Sequence, residues 1–227
     1  MSHTEYKYLI FNFKDTQFKK FMDENELIKI EFVRLYNKWF NKEISKGEWI
    51  FDSMVDSFSL GYKNMILILI LDNNCIAGHA NSLESTNDKQ PIDLICNVQI
   101  TEEYRGRGLC PKLIANLINY LLVKNEKLPE LPILPILLEV LIENKPAIRC
   151  YSINNFYDSK TPHIEEDAKW MILDKNKYIK NLIKELAILS YNINFNITPN
   201  IKEYRNLKEI ITNYFKHYIE HNAVKID

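Results

Sequence analysis

Two hydrophobic periods run along the chain, and they separate the predicted strands from the predicted helices. Short runs rich in apolar and β-branched residues predict strands at 6–13, 65–71, 75–82, 92–100, 136–142, 155–159 and 168–173. Apolar residues that recur every third or fourth position predict helices at 24–41, 50–58, 109–125, 146–154, 175–191 and 201–221. The polar segments 84–90 and 192–200 are predicted to be loops.

This order of elements predicts a mixed α/β domain over residues 1–174 and a helical extension over residues 175–227. The last predicted helix carries a stripe of tyrosine and aliphatic residues. That stripe either docks on the preceding domain or forms the seam of a homodimer, so both a monomer and a homodimer remain open.

Composition narrows the classes of protein that this chain can belong to. The 227 residues are 46% hydrophobic and 12% aromatic, which is enough for a packed core. A formal net charge of -1 gives no global reason to expect nucleic acid or an anionic membrane as a partner. The longest apolar run, Met65–Leu71, is about a third of what a membrane-spanning helix needs. The first residues also lack the features of a secretory signal, so we expect a cytoplasmic protein.

The four cysteines are scattered and include no C-x-x-C pair. This spacing does not match a zinc site or a disulfide framework. We therefore expect four reduced thiols and no metal centre.

A pair of glycines separates one predicted strand from the most regular predicted helix. Gly106 and Gly108 are two of only five glycines in the chain, and they lie between Ile100 and the helix at 109–125. The first amides of a helix lack intrahelical acceptors and carry a partial positive charge. Glycines at this position allow a tight turn and the close approach of a phosphate. The spacing predicts an anion site, although an ordinary turn with solvated arginines remains possible; the Rossmann and Walker patterns are both absent.

The residues around this turn resemble a known coenzyme motif. The segment NVQITEEYRGRGLCPKLI is similar to the acyl-CoA-binding motif of the GNAT N-acetyltransferase superfamily, Arg/Gln-x-x-Gly-x-Gly/Ala. Arg105, Gly108 and Cys110 occupy its three defining positions, and Cys110 departs from the usual glycine or alanine.

A second segment, LLEVLIENKPAIRCYSINNF, resembles the next motif of the same superfamily. Its matching positions are Asn144, Ala147, Ile148, Tyr151, Asn155 and Phe156. Asn155 replaces the usual glycine, and asparagine is among the few other residues that tolerate a positive φ. The resemblance covers about residues 5–174 and implies a GNAT-like fold, with a mixed, mostly antiparallel central sheet flanked by helices.

The resemblance also implies a reaction, the direct transfer of an acetyl group from acetyl-CoA to a primary amine. The residues that it assigns to the coenzyme are Val98, Ile100, Arg105, Gly106, Arg107, Gly108, Leu109, Cys110 and Asn144. Backbone groups near Val98 and Ile100 would pair with the pantetheine arm, and the amides from Arg105 to Cys110 would hold the pyrophosphate.

Two further residues match the catalytic positions of the superfamily. Tyr151 matches the general acid and Glu139 matches the carboxylate base of protein N-terminal acetyltransferases. A strand glutamate can also be merely solvated, and a helix tyrosine can simply pack on the sheet. The acceptor is open between protein N-termini, lysines, polyamines and aminoglycosides. The alternative function is a catalytically silent relative that binds acyl-CoA or a protein partner.

Overall fold

The computed structural model describes residues 6–12, 17–40, 63–87, 90–124, 134–161, 163, 165–194 and 201–222. The chain divides into two compact units, Met1–Ile114 and Ala115–Asp227. The elements up to the boundary are β1 (Lys7–Asn12), α1 (Gln17–Glu24), α2 (Glu26–Phe40), β2 (Lys63–Asp72), β3 (Cys75–Asn87), β4 (Gln90–Ile100) and a helix that crosses it, α3 (Leu109–Lys124). Those that follow are β5 (Ile136–Leu141), α4 (Lys145–Ile153), β6 (Phe156–Asp158), β7 (Ala168–Leu173), α5 (Lys175–Asn194) and α6 (Ile201–Asn222).

The strands of the first unit lie in the order β1-β2-β3-β4, and each neighbouring pair is antiparallel. β2 is apolar at successive positions because both of its faces are buried: Leu67 and Leu69 face the core under α1 and α2, while Ile66 and Ile68 are buried on the other face. The core on the helix side contains Phe11, Phe18, Met22, Ile28, Phe32, Leu35, Tyr36, Leu67, Leu69, Leu71 and Ile76.

Helix α1 was not expected from the sequence. It buries Phe18 and Met22, one turn apart, while the residues between them are mostly exposed. Asn25 separates α1 from α2, and its side-chain amide donates to the carbonyl of Phe21 at 2.7 Å. The helix predicted at 50–58 lies outside the described residues.

The prediction of a loop at 84–90 is wrong. β3 continues to Asn87 and β4 begins at Gln90, and the pairs Glu84–Asp93 and Asn87–Gln90 extend the ladder to the end of the hairpin. Polar side chains do not prevent strand pairing, because the ladder is made by backbone groups.

In the second unit the strand order is β5-β7-β6, with both pairings antiparallel. Asn155 lies between α4 and β6 with a φ of 64°, which confirms that asparagine here adopts the conformation usual for glycine. The phenol of Tyr178 on α5 donates to the side-chain oxygen of Asn119 on α3 at 2.9 Å. α5 and α6 both contribute buried residues, namely Tyr178, Ile179, Leu182, Leu207, Ile210 and Ile211.

These elements confirm the fold class: the chain is mixed α/β, with seven mostly antiparallel strands flanked by helices. In the described part of the chain, no helix combines the length and the apolar character that crossing a membrane requires.

The expectation of four reduced thiols is wrong for two of the cysteines. Cys75 and Cys96 carry free thiols. Cys110 and Cys150 are disulfide-bonded. Spacing along the chain could not reveal this, because disulfide formation depends on distance in the fold.

Candidate active site

The predicted anion site is an exposed turn of alternating backbone handedness between β4 and α3. Gly106 has a φ of 77° and Gly108 a φ of 71°, so both adopt the left-handed conformation that favours glycine. Within the described turn, backbone hydrogen bonds are donated by the amides of Tyr104 and Arg105, and none by those from Gly106 to Leu109. Amides at such a turn and at a helix N-terminus form a concave donor surface for an anion.

Both arginines of the turn fold back onto it. The Arg105 side chain donates to the carbonyl of Ile100 at 3.3 Å, and Arg107 donates to the carbonyl of Glu103 at 2.8 Å. The guanidinium of Arg107 also lies 4.8 Å from the ring centre of Tyr104. The arginines thus stabilise the turn and bring two positive charges to it.

The end of β4 is fixed just before this turn. Thr101 is buried, its amide donates to the carbonyl of Ala77 at 3.0 Å, and its hydroxyl donates to the carbonyl of Ile76 at 2.8 Å. The direction in which the chain enters the turn is therefore determined by β3.

β4 contains a bulge at the position where the sequence predicts contact with the coenzyme arm. Asn81 pairs with Cys96, but His79 pairs with Gln99, so two steps along β3 match three steps along β4. The extra residue lies next to Asn97, which has a φ of 52°. A bulge leaves one residue out of the ladder and bends the strand. The sequence did not indicate this bulge.

Asn144, a predicted coenzyme-binding residue, is the N-cap of α4. Its side-chain oxygen accepts a hydrogen bond from the amide of Ala147 at 3.2 Å. Asparagine is preferred at this position because it satisfies an amide that has no partner within the helix. Asn144 therefore positions the helix that carries Tyr151.

Tyr151 is buried on α4, with 6% of its surface exposed, and its ring makes an edge contact with Phe156 at 6.3 Å. Burial raises the pKa of the Tyr151 phenol to about 12, because the ionised form loses its hydration. The phenol therefore stays protonated at neutral pH and can donate a hydrogen bond.

Glu139 lies on β5 beside a histidine that the sequence analysis did not single out. Its side chain is 45% exposed, and Oε1 lies 3.4 Å from Nε2 of His163. The His163 ring packs against Trp170, which pairs with Glu139 across β5 and β7. His163 is far from Glu139 along the chain and belongs to no motif, so only the hairpin of β6 and β7 brings the two together.

Three side chains of this cluster also lie close enough to hold a cation. Ligand atoms of Glu139, His163 and Glu165 are within 4.8 Å of one another. Nδ1 of His163 has two contacts with Glu165: the backbone amide donates to it at 2.9 Å, and the carbonyl oxygen lies 3.2 Å from it. The first contact fits a ring protonated on Nε2 and the second a ring protonated on Nδ1. With the proton on Nε2, this nitrogen would have no lone pair for a metal.

Solved structures of similar fold come from several acetyltransferases. Arabidopsis thaliana NAA60 in complex with a bisubstrate analogue is 15% identical, with a TM-score of 0.45, and the match covers 74% of this chain and 97% of that one. Spermidine N-acetyltransferase from Vibrio cholerae, in complex with CoA and spermine, is 17% identical, with a TM-score of 0.44 and coverage of 78% and 99%. No curated protein sequence matches the chain.

A family model matches the chain directly. The model of the Acetyltransferase (GNAT) family matches residues 30–156, which is more than half of the 227 residues and includes the glycine turn, Glu139 and Tyr151. The chain therefore belongs to the GNAT acetyltransferase family, whose general activity is acetyl transfer that depends on acyl-CoA.

Proposed function

We propose that this protein is an N-acetyltransferase that moves the acetyl group of acetyl-CoA directly to a primary amine, acting in the cytoplasm as a monomer or a homodimer. The observation that carries the proposal is the exposed turn before α3, where Gly106 and Gly108 are both left-handed and the described amides from Gly106 to Leu109 donate no backbone hydrogen bond. The family match supports the same donor. Residues 1–174 would carry the reaction, and residues 175–227 would be a helical extension.

The turn would bind the pyrophosphate of the coenzyme. The amides from Gly106 to Leu109 would donate to its oxygens, whereas the Arg105 amide already donates to the carbonyl of Glu102 at 3.2 Å. The side chains of Arg105 and Arg107 would add positive potential. The bulge in β4 supports a role for Val98 in binding the pantetheine arm, because Val98 lies in the stretch that is not matched in the ladder. Ile100 is paired with Gly78, so its proposed contact with the arm rests on the family resemblance alone. Asn144 would contribute to coenzyme binding indirectly, because it caps α4.

Tyr151 would act at the leaving sulfur. A thiol has a pKa near 8.5, whereas burial raises the pKa of Tyr151 to about 12. Full proton transfer from the phenol to a free thiolate would thus be uphill by about 3.5 pKa units. The phenol is better suited to donate a hydrogen bond as charge develops on sulfur, and to relay a proton released by the acetylated nitrogen.

Glu139 would remove a proton from the acceptor, directly or through water. An ordinary lysine amine, with a pKa near 10.4, is mostly protonated at pH 7, so it needs a base more than an α-amine with a pKa near 8 does. The exposed fraction of the Glu139 side chain, 45%, allows it to return that proton to solvent.

The first experiment is a screen for thiol release from acetyl-CoA with four kinds of acceptor: peptides with a free N-terminus, lysine peptides with a blocked N-terminus, polyamines and aminoglycosides. Mass spectrometry of the product then locates the acetyl group. We expect one class to react, Tyr151→Phe to lower kcat by about 100-fold, and Glu139→Gln to lower it by about tenfold or more.

Tyr157→Phe is the matched control, because Tyr157 is a 53% exposed tyrosine on the neighbouring strand β6. Its activity should remain that of the wild type. Binding of CoA without turnover of any amine would favour the catalytically silent relative. If neither CoA nor acetyl-CoA raises the melting temperature, the proposed donor is wrong.

A further inference from the structure

We propose that His163 is a positioning residue for Glu139, whose carboxylate it holds through a hydrogen bond from Nε2–H. This inference rests on the proposed function, because it assigns a partner to the proposed base. Both residues lie in the second unit.

The two members of the pair differ in burial. The His163 side chain is 8% exposed and the Glu139 side chain is 45% exposed, with 3.4 Å between Nε2 and Oε1. An exposed glutamate samples several rotamers, and ordering it costs conformational entropy. A donor that is itself fixed in the fold reduces that cost, because it selects the rotamer that brings Oε1 to the ring.

Two contacts fix the histidine ring. Its centre lies 5.0 Å from the centre of the Trp170 ring, with the planes inclined by 50°. Trp170 is the cross-strand partner of Glu139, so both residues project from the same face of β5 and β7. The His163 ring therefore packs on β7, the strand that pairs with β5 and so with Glu139.

The second contact is made by Glu165, whose backbone amide donates to Nδ1 at 2.9 Å and whose carbonyl oxygen lies 3.2 Å from the same nitrogen. The amide contact requires a lone pair on Nδ1, whereas the carbonyl contact would require a proton there. We infer the Nε2–H tautomer because the amide contact is the shorter of the two and because this tautomer gives Nε2 a proton to donate to Glu139. A ring with the opposite tautomer would place two lone pairs, one from Nε2 and one from Oε1, against each other.

In the reaction, the two carboxylate oxygens of Glu139 would therefore have different functions. Oε1 accepts from His163, which leaves Oε2 to accept a proton from the acceptor amine or from a water bound to it. The proton passes from nitrogen to Glu139 and then to solvent, while His163 keeps its own proton throughout. His163 thus orients the base and takes no part in the proton transfer.

Two substitutions at His163 separate this role from packing. His163→Leu fills a similar volume without a donor, and His163→Gln places a side-chain amide nitrogen near the position of Nε2. With saturating acetyl-CoA, we expect kcat to fall about tenfold in His163→Leu. In His163→Gln, kcat should recover to at least half of the wild-type value. The KM for acetyl-CoA should change less than twofold in both variants. Glu166→Gln, a change at an exposed neighbour, should have no effect.

A spectroscopic measurement makes the inference testable without turnover. Long-range ¹H–¹⁵N correlation spectra at pH 8.5, with His163→Gln used for assignment, should show the Nε2–H tautomer for His163. In Glu139→Ala the Nε2–H signal should broaden or shift, because its acceptor is gone. An Nδ1–H tautomer in the wild type, or a wild-type kcat in His163→Leu, would overturn the inference. Absence of turnover with every amine would instead overturn the proposed function and leave the tautomer result standing.

Discussion

Gly78 lies opposite Ile100 across β3 and β4, and the two backbones approach so closely that no side chain fits between them. A Cβ on Gly78 would lie 2.7 Å from the carbonyl oxygen of Gln99. That oxygen belongs to the sheet backbone and cannot move aside. We expect Gly78→Ala to lower the free energy of unfolding by about 1–3 kcal/mol, as measured by urea denaturation. Affinity for CoA should fall as well, since β4 leads into the glycine turn.

Ser82→Ala is the control for this substitution. Ser82 lies four residues along the same strand, on the same face, and its buried hydroxyl has no hydrogen-bond partner among the described residues. Removing a buried hydroxyl of this kind should leave stability unchanged or raise it by up to about 1 kcal/mol. If Ser82→Ala destabilises as strongly as Gly78→Ala, steric conflict at Gly78 is not the cause.

Gly108→Ala tests the proposed anion site at the glycine turn. The φ of 71° is strained for alanine, but an added Cβ would meet no atom of the described residues within 4 Å. The cost should therefore be the backbone strain alone, about 1–2 kcal/mol. Gly108→Asn should lose less, because asparagine tolerates this conformation. Isothermal titration with CoA should show Kd rising about tenfold for alanine and less for asparagine. An unchanged Kd in both variants would place the pyrophosphate elsewhere.

The fold was predictable from the sequence where burial follows a simple period. Leu113, Leu117 and Leu121 on α3 are fully buried, as the helical stripe predicts, and the apolar run of β2 is buried on both faces. Prediction failed at α1, where Phe18 and Met22 provide only two core positions, too few to define a period. It also failed at 84–90, where polar residues form an ordinary antiparallel ladder.

The candidate site was predictable only where its residues are contiguous. The turn from Arg105 to Gly108 could be located because a strand, two glycines and a helix follow one another. The pairing of His163 with Glu139 and the bulge beside Asn97 could not be located in this way. Both depend on which strands lie next to each other and in which register, and neither leaves a local pattern.

His79 makes stability depend on pH on the acid side. It is buried in β3, and loss of hydration lowers its pKa from 6.5 to about 3. Between these two values the unfolded chain binds a proton that the folded protein does not. The free energy of unfolding should therefore fall as pH drops from about 6.5 toward 3. Urea denaturation at pH 7.5, 6 and 5 measures this slope, and His79→Gln should flatten it. An equal slope in the variant would assign the effect to other groups.

Tyr151 makes stability depend on pH on the alkaline side. Its pKa is raised from 10.0 to about 12 by burial, so above pH 10 the unfolded chain loses a proton that the folded protein retains. The unfolded state then binds fewer protons, and stability should fall as pH rises from about 10 to 12. We expect Tyr151→Phe to reduce this fall, and Tyr157→Phe, at an exposed position, to leave it unchanged.

Absorbance at 295 nm during alkaline titration gives an independent check, because one tyrosine fewer should ionise near pH 12 in the Tyr151→Phe variant. If that variant instead loses a tyrosine that ionises near pH 10, the phenol is hydrated in the folded protein and its proposed role at the leaving sulfur loses its physical basis.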